Sequence, residues 1–297
     1  MKQVLVLSGK GGTGKTSIAA ALIHLMKAKA YADCDVDAPN LHLLVKPEDE
    51  GDHKDFYGLQ KAVIHQEKCT QCDLCRQHCR FEAIHKTSDY ELDEFACEGC
   101  GVCQWICPSD AITMEPAKAG DLKRHWKPAL FSTAQLRMGS GNSGLLVTEV
   151  KKRMKEGTEM LSEEVPIALI DGSPGIGCPV IASITGVDLV LIVAEPSVSG
   201  ISDMQRVIET ATGLNAQLAV CINQWDNSPE HSKEIRDFCD EHRLPLLGEI
   251  PYDPIVVDLV NRGLSMAEED CTAGEEVRKI FEKLLVLIEE NRKEPIA

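Results

Sequence analysis

Residues Gly9–Thr16 have the sequence GKGGTGKT, which fits the pattern G-x-x-x-x-G-K-[ST]. Glycines at this density let successive backbone N–H groups converge on phosphate oxygens. We expect Lys15 to reach the β- and γ-phosphates of a nucleotide and the Thr16 hydroxyl to bind Mg²⁺. The other residues expected to contact the nucleotide here are Gly11, Gly12, Thr13, Gly14 and Ser17. A glycine-rich turn without a ligand is the alternative.

Two elements must hold this loop in place. The apolar run Val4–Leu7 predicts a buried strand before it, and Ser17–Met26 has apolar residues at helical spacing after it. A helix that begins at the loop adds the partial positive charge of its N-terminus to the phosphate site. Strand, glycine loop and helix in this order are the context that the pattern requires.

A second stretch carries carboxylates at alternate positions, Asp33, Asp35 and Asp37, and ends in a Pro-Asn pair. Like charges this close disfavour a folded structure unless a cation or phosphate chemistry uses them. A solvated acidic turn is the alternative. Further along, the apolar run Val165–Ile170 ends at Asp171, and such a strand end is where an α/β sheet binds its ligand.

Lys10 is a second lysine that the phosphate-loop pattern does not require. With it, the loop resembles the G-K-G-G-x-G-K-[ST] box of the MinD/ParA/Mrp superfamily of P-loop ATPases. The acidic stretch resembles that superfamily's D-x-D-x-x-x-P-N switch I, and Asp171–Gly175 resembles its D-x-x-P-G switch II. The resemblance implies ATP and Mg²⁺ as ligands, and a nucleotide-sandwich homodimer or a dimer with a paralogue.

The resemblance also implies roles for single residues. Lys10 would cross the dimer interface to the partner's nucleotide and act in catalysis with Lys15. Asp35 would orient the attacking water, whereas Asp33 and Asp171 would support Mg²⁺. A solvated surface lysine and a plain strand-end turn are the alternatives for Lys10 and Asp171.

Asn223 follows the predicted strand Gln217–Ile222 and resembles the superfamily's adenine-binding position. We expect Pro251 and Asp253, which follow another predicted strand, to flank the base. The motif Asn-x-x-Asp that begins at Asn223 also resembles the guanine site of GTPases, which is the competing interpretation.

Eight of the thirteen cysteines form two runs with one spacing, C-x₂-C-x₂-C-x₃-C, which resembles that of bacterial two-cluster ferredoxins. In those proteins the fourth cysteine of each run binds the other cluster. The resemblance therefore implies two [4Fe–4S] clusters. Cys69, Cys72, Cys75 and Cys107 would hold cluster one, and Cys97, Cys100, Cys103 and Cys79 would hold cluster two. Zinc is the competing metal, because C-x₂-C pairs also bind zinc.

The remaining cysteines form no C-x-x-C pair, and we expect them to be small buried hydrophobic residues. They are Cys34, Cys178, Cys221, Cys239 and Cys271. A labile metal site at Cys34 and Cys178, which lie in or just beyond the two switches, is the alternative.

Composition excludes several classes of function. The formal net charge of −16 argues against broad binding to nucleic acid or anionic membranes. The sequence has no apolar run of about 18 residues, so we expect no membrane span. We also expect no signal peptide, since the N-terminus enters a strand directly. Metal-type cysteines beside a nucleotide motif indicate a reducing, cytoplasmic location.

These observations predict an α/β P-loop NTPase with a mostly parallel sheet flanked by helices, formed by residues 1–61 and 117–297. Residues 62–116 are expected to form a small inserted α+β domain of the bacterial ferredoxin type. This segment has ten acidic and four basic residues, and we expect its clusters to stabilise its fold. Residues 48–55 are expected to be a linker, and 123–127 a solvated turn or a docking surface for an acidic partner.

Two functions fit these expectations. The first is an ATP-hydrolysing dimeric switch that controls an iron–sulfur module, either in electron transfer to a redox partner or in metallocentre assembly on an apo-metalloprotein. The second is an iron–sulfur scaffold or carrier with ATP-gated cluster release. A cell-positioning ATPase is disfavoured, since Lys279–Ala297 mixes basic and acidic residues and predicts a poor membrane helix.

Overall fold

A computed structural model of the chain describes residues 1–290. The strands are β1 (Lys2–Leu7), β2 (Ala30–Asp33), β3 (Asp52–Ile64), β4 (Ile84–Lys86), β5 (Tyr90–Leu92), β6 (Ile112–His125), β7 (Leu130–Leu136), β8 (Ile167–Asp171), β9 (Leu189–Ala194), β10 (Gln217–Asn223) and β11 (Leu246–Ile250). The helices are α1 (Lys15–Met26), α2 (His42–Val45), α3 (Leu74–Gln77), α4 (Val102–Trp105), α5 (Ser143–Met160), α6 (Cys178–Ile184), α7 (Val198–Gly213), α8 (Pro229–Glu241), α9 (Pro254–Asn261) and α10 (Thr272–Glu290).

Nine strands form one sheet in the order β11-β10-β9-β1-β8-β2-β7-β6-β3. The seven strands from β11 to β7 are parallel, whereas β6 is antiparallel to both of its neighbours. The expected α/β fold with a mostly parallel sheet is therefore confirmed.

The central strands are buried on both faces, because each face packs against helices. In β1, Val4 and Val6 belong to the core that includes residues of α1 and α10, and Leu5 and Leu7 belong to the core that includes residues of α5 to α8. Successive side chains of a strand point to opposite faces, which explains why a run of four apolar residues supplies both cores.

The cysteine-rich segment lies between β3 and β6 and contains the small β4–β5 sheet. Its own core includes Cys75, Ile84 and Tyr90. The expected boundaries at residues 62 and 116 fall inside β3 and β6, which pair without a register shift from Gln60 opposite Pro116 to Ile64 opposite Ile112. The segment is thus held by two long strands of the main sheet.

The structure corrects two of the local expectations. Residues 48–55 are not simply a linker, because β3 begins at Asp52. Residues 123–127 are not a solvated turn, since Lys123, Arg124 and His125 end strand β6 and His125 is buried. Arg124 binds Asp52 at 2.8 Å and lies over the Trp126 ring, so the charge of Arg124 is already paired.

The sequence-based expectations lacked five of the helices, α2, α3, α4, α6 and α8. Among the described residues, no helix is both long and apolar enough to cross a bilayer. The C-terminal stretch that we expected to be a poor membrane helix extends beyond the described residues.

The substitution Phe131→Ala tests whether β7 lies in the core. Phe131 is fully buried, and its ring centroid lies 5.2 Å from that of Tyr31 and 5.8 Å from that of His125. We expect Phe131→Ala to lower the free energy of unfolding by about 3–5 kcal/mol, through lost burial and a cavity. The control Tyr57→Ala, at a half-exposed position of β3, should change it by less than about 0.5 kcal/mol. Urea unfolding of both variants measures this, and equal losses would contradict the assignment.

Candidate functional site

The glycine-rich loop joins β1 to α1 at the carboxyl end of the parallel strands. Gly12 and Gly14 have φ angles of 83° and 84°, a region that favours glycine. Gly14 immediately precedes α1, and the Asn223 amide donates a hydrogen bond of 2.8 Å to the Thr13 carbonyl. The strand, loop and helix order expected from the sequence is therefore present, and the end of β10 supports the loop.

Buried charges meet behind this loop. Lys15 Nζ lies 2.5 Å from Asp171 Oδ1, and the Thr16 hydroxyl donates to Asp171 Oδ2 at 2.7 Å. Lys15 is 6% exposed and Asp171 is fully buried, so each charge is neutralised mainly by the other. This contact brings together the phosphate-loop lysine, the hydroxyl expected to bind Mg²⁺ and the end of β8.

Asp33 lies at the end of β2 and organises the loop that follows. Its carboxylate accepts hydrogen bonds of 3.0 Å from the backbone N–H groups of Asp35, Asn40 and Leu41. Burial, and then the nearby Asp171 carboxylate, raise the pKa of Asp33 to about 7. The three hydrogen bonds fix the shape of the acidic loop, which is thus built around a buried carboxyl rather than solvated.

Asp35 is the second carboxylate of this loop and lies near both Lys15 and Asp171. Burial raises its pKa above the ordinary value for an aspartate, while Lys15 opposes the shift. The same loop is tied to the sheet, because the Leu136 N–H donates to the Val36 carbonyl at 2.8 Å. The structure therefore brings Asp33, Asp35 and Asp171 together with the phosphate loop.

Lys10 is not free in solvent. Its Nζ lies 3.0 Å from Glu195 Oε1, 3.2 Å from Ser197 Oγ and 3.3 Å from Ser199 Oγ. These partners follow β9 and begin α7, so Lys10 is held against its own chain. Sequence reasoning missed Glu195, although an acid at a strand end, before Pro196, was a signal for it.

The residues expected to bind the base line a cavity beside the glycine-rich loop. The cavity is lined by Gly12, Gly14, Ser17, Asn223, Pro251, Tyr252, Asp253 and Val256, among others. The Asp253 carboxylate accepts from the Ile255 N–H at 3.0 Å and the Ala273 N–H at 3.3 Å, so it caps α9 and shapes the wall. Asp226, the acid of the alternative guanine motif, accepts from the Tyr252 N–H at 2.7 Å.

The cysteine runs also come together. Burial is the largest cause that raises the pKa of the Cys75 thiol, and the neighbouring Cys69 and Cys72 raise it further. Burial likewise raises the pKa of Cys103, with Cys97 and Cys100 as its neighbours. A small cavity is lined by Cys79 together with Cys97, Cys100 and Cys103. The fourth cysteine of the first run thus lies beside the first three of the second.

The two fourth cysteines have matching surroundings. Cys79 Sγ accepts from the Ala83 N–H at 3.4 Å, and Cys107 Sγ accepts from the Ala111 N–H at 3.3 Å. Each of these alanines precedes an isoleucine, so the sequence repeat is also a structural repeat. Within residues 1–290, no group of three or more His, Cys, Asp or Glu side chains is close enough together to hold a metal ion.

The other cysteines divide into two kinds. Cys34, Cys221, Cys239 and Cys271 are buried, which confirms the expectation for them. Cys178 is exposed at the start of α6, so the expectation was wrong there. The residue begins a helix directly beyond the Asp171–Gly175 stretch, and its side chain is left outside the core.

The loop, its buried charges and the parallel sheet define a nucleotide-binding P-loop protein. The chain belongs to the CobQ/CobB/MinD/ParA nucleotide-binding domain family, whose pattern matches residues 4–266. An uncharacterized protein of Methanocaldococcus jannaschii is 28% identical over 289 residues, which cover 95% of this chain and 96% of that protein.

Two further comparisons concern the fold and one part of the chain. The septum site-determining protein MinD of Pyrococcus horikoshii, solved with Mg-ADP, superposes with a TM-score of 0.58 at 18% identity and covers 99% of both chains. This similarity shows the fold. Pyruvate synthase subunit PorD of Methanothermobacter marburgensis is 40% identical over 58 residues, which cover 20% of this chain and 69% of that subunit.

Gly14 and Gly11 provide a matched test of the loop geometry. A methyl group at Gly14 would lie 2.3 Å from Asn223 Nδ2, and the alanine would also have to adopt a positive φ. At Gly11 the methyl group would meet open space, and φ is not positive. We expect Gly14→Ala to lower the free energy of unfolding by about 1–2 kcal/mol, and Gly11→Ala by less than about 0.5 kcal/mol. Urea unfolding without nucleotide measures both, and an unaffected Gly14→Ala variant would contradict the loop conformation.

Proposed function

We propose that the chain is an ATP-hydrolysing dimeric switch that controls a two-cluster iron–sulfur module for electron transfer or metallocentre assembly on a partner protein. One observation carries the proposal: the phosphate site and the cysteine-bearing segment share a single sheet. Asp33 ends β2, which is followed in the sheet by β7, β6 and β3, and the last two strands lead into the cysteine segment.

Magnesium and ATP fit the residues at the phosphate loop. The Thr13 hydroxyl is buried and, within the described residues, has no hydrogen-bond partner, which is rare for a buried polar atom. Its position on the loop suits a phosphate oxygen as the missing partner. Lys15 and the loop N–H groups would hold the phosphates, while Thr16, Asp33 and Asp171 would hold Mg²⁺ directly or through water.

The base pocket favours adenine over guanine. A guanine-specific aspartate must present its carboxylate to the base, but Asp226 does not line the pocket, and its Oδ1 accepts from the Tyr252 N–H. Asn223 lines the pocket from the end of β10, and because its Nδ2 group donates to the Thr13 carbonyl, its Oδ1 can accept from an amino group on a base edge. Pro251 and Asp253 form the opposite wall of that pocket.

Iron–sulfur clusters fit the cysteines better than zinc does. The spacing C-x₂-C-x₂-C-x₃-C, present twice, is that of two-cluster ferredoxins, in which the fourth cysteine of each run binds the other cluster. Cys79 lies beside Cys97, Cys100 and Cys103, as this exchange of the fourth ligand requires. The Ala83 and Ala111 N–H groups directed at Cys79 and Cys107 would tune cluster potential, since hydrogen bonds to sulfur do so.

One fifth of the chain is similar to a subunit of pyruvate synthase. This similarity supports a role as the partner of an enzyme rather than a role in cell positioning. The carrier function remains the second candidate, favoured by Cys72 and Cys100, which are exposed. Anaerobic incubation with an apo-ferredoxin and a chelator separates the two. Clusters that stay on the chain support the redox function, and rapid ATP-dependent transfer supports the carrier.

The two lysines of the loop should have different kinetic effects. Lys15→Ala should reduce ATP binding more than about tenfold, because the phosphates lose their buried cation. Lys10→Ala should leave ATP binding within about twofold of wild type. It should abolish the ATP hydrolysis that rises with protein concentration as dimers form, because a charge supplied by the partner subunit acts on the transition state. Calorimetry and a phosphate-release assay measure these effects. Equal loss of binding in both variants would contradict the sandwich dimer.

The substitution Cys79→Ser tests whether the fourth cysteine of the first run binds the cluster of the second run. We expect about eight irons per wild-type chain. Cys79→Ser should alter the signal of cluster two, which uses Cys97, Cys100 and Cys103, and leave that of cluster one unchanged. The control Cys178→Ser, at the exposed cysteine outside both runs, should change neither signal.

Anaerobic iron analysis and electron paramagnetic resonance of the reduced protein measure both effects. Stoichiometric zinc without iron would overturn the metal assignment. Loss of the cluster-one signal in Cys79→Ser would overturn the exchange of ligands.

A further inference from the structure

We propose that residues Arg137–Gly144, here called the bridging segment, couple the nucleotide state of the phosphate site to the loop that carries Cys97. This inference rests on the proposed function, because it names the path by which the two modules influence each other. The bridging segment directly follows β7 and extends into the first turn of α5. It contacts Phe95 and Cys178, and the two residues just before it contact the acidic loop of the phosphate site.

The start of the bridging segment is tied to the acidic loop of the phosphate site. In the residues just before it, the Leu136 N–H donates to the Val36 carbonyl at 2.8 Å and Gln135 Nε2 donates to the Asp37 carbonyl at 3.4 Å. Val36 and Asp37 directly follow Asp35, the proposed catalytic carboxylate. A change in this acidic loop must therefore displace the end of β7 or break these hydrogen bonds.

The other end is tied to the second loop of the phosphate site. A methyl group added at Gly144 would lie 3.0 Å from the Cys178 carbonyl oxygen, so the two backbones are in direct contact. Cys178 begins α6, three residues after Gly175, and the Gly175 N–H donates to the Ser8 carbonyl at 3.1 Å. The bridging segment thus lies between residues that contact the acidic loop and a residue that contacts the start of α6, just beyond Gly175.

The middle of the bridging segment contacts the cysteine-rich segment. A methyl group added at Gly139, where φ is 72°, would lie 2.5 Å from Phe95 Cδ1. The Phe95 ring therefore packs directly on the Gly139 backbone, although 70% of its surface is exposed. Together with Leu59, Met138 and several charged residues, Phe95 also lines the cavity at this junction.

Phe95 is joined stiffly to Cys97. The Asp93 carboxylate accepts from the N–H groups of Phe95 at 2.8 Å and Ala96 at 3.3 Å, and the Asp93 carbonyl accepts from the Cys97 N–H at 3.1 Å. A displacement of the Phe95 ring therefore reaches Cys97 through a closed turn. Cys97 belongs to the set proposed to hold cluster two, so cluster two is the one expected to respond.

Such coupling must act in both directions. If nucleotide changes the equilibrium at Cys97, then a change in charge at cluster two must alter nucleotide affinity by the same factor. Phosphate-site loops rearrange when γ-phosphate is present in other nucleotide switches. Allosteric coupling requires a structural element whose equilibrium both sites influence. In this proposal that element is the bridging segment.

Phe95→Ala tests the path, and Trp105→Ala is the matched control. Trp105 is also an exposed aromatic residue of the cysteine-rich segment, 87% exposed, but it does not line the junction cavity. The Kd of the non-hydrolysable analogue Mg·AMPPNP is measured on oxidised and on dithionite-reduced protein. We expect about a tenfold difference in wild type and in Trp105→Ala, equivalent to about 59 mV for a one-electron couple. In Phe95→Ala the difference should fall below about twofold.

Hydrogen exchange provides a readout that does not depend on cluster content. Mg·AMPPNP should change exchange in the peptide that spans Asp93–Gly99 in wild type and Trp105→Ala but not in Phe95→Ala. A redox-dependent affinity and an exchange response that both survive in Phe95→Ala would overturn the proposal. So would the absence of both responses in wild type.

Failure of the proposed function would look different. Iron content and AMPPNP binding by wild type are measured separately, and loss of either contradicts the proposed function itself. If the chain binds AMPPNP but lacks iron, the exchange experiment alone decides whether the bridging segment couples the two sites.

Discussion

The structure depends on a buried cluster of charges at the centre of the sheet. Strand β8 pairs with β1 on one side and β2 on the other, and the register places Asp171 opposite both Val6 and Asp33. Lys15 then enters from α1 to neutralise Asp171. Removing one partner of a buried ion pair typically costs about 3–5 kcal/mol, so these strands and α1 must keep their positions together.

This constraint makes the phosphate site depend on the register of the strands behind it. A shift of one residue in β8 would direct Asp171 to the other face of the sheet. The shift would leave Lys15 buried without a counter-charge and separate Asp171 from Thr16. The binding loop at the surface is therefore specified by register deep inside the sheet.

Motifs confined to short stretches could be predicted from the sequence. The glycine loop, the acidic strand ends and the repeated cysteines each depend on neighbours within about ten residues, and each lies at the expected element. The approach of Cys79 to Cys97, Cys100 and Cys103 also follows the spacing of the two runs. Local chemistry thus locates these sites along the chain.

Contacts between distant parts of the chain could not be predicted in this way. Lys10 and Glu195 are 185 residues apart, and no local pattern pairs them. The strands β3 and β6 escaped prediction because polar and Gly-containing sequences pair only when a partner strand is present. The exposure of Cys178 likewise depends on how α6 packs against α5, which the sequence around it does not encode.

The position of the cysteine-rich segment has an evolutionary consequence. Ile64 and Ile112 pair directly across β3 and β6, so the chain leaves the sheet and returns to it at adjacent points. Because the two ends are already held together, each doubling of the length of the inserted segment raises the free-energy cost of loop closure by only about 0.6 kcal/mol. A segment grafted at such a hairpin tip can be lengthened, exchanged or lost between species without disturbing the sheet that supports the phosphate loop.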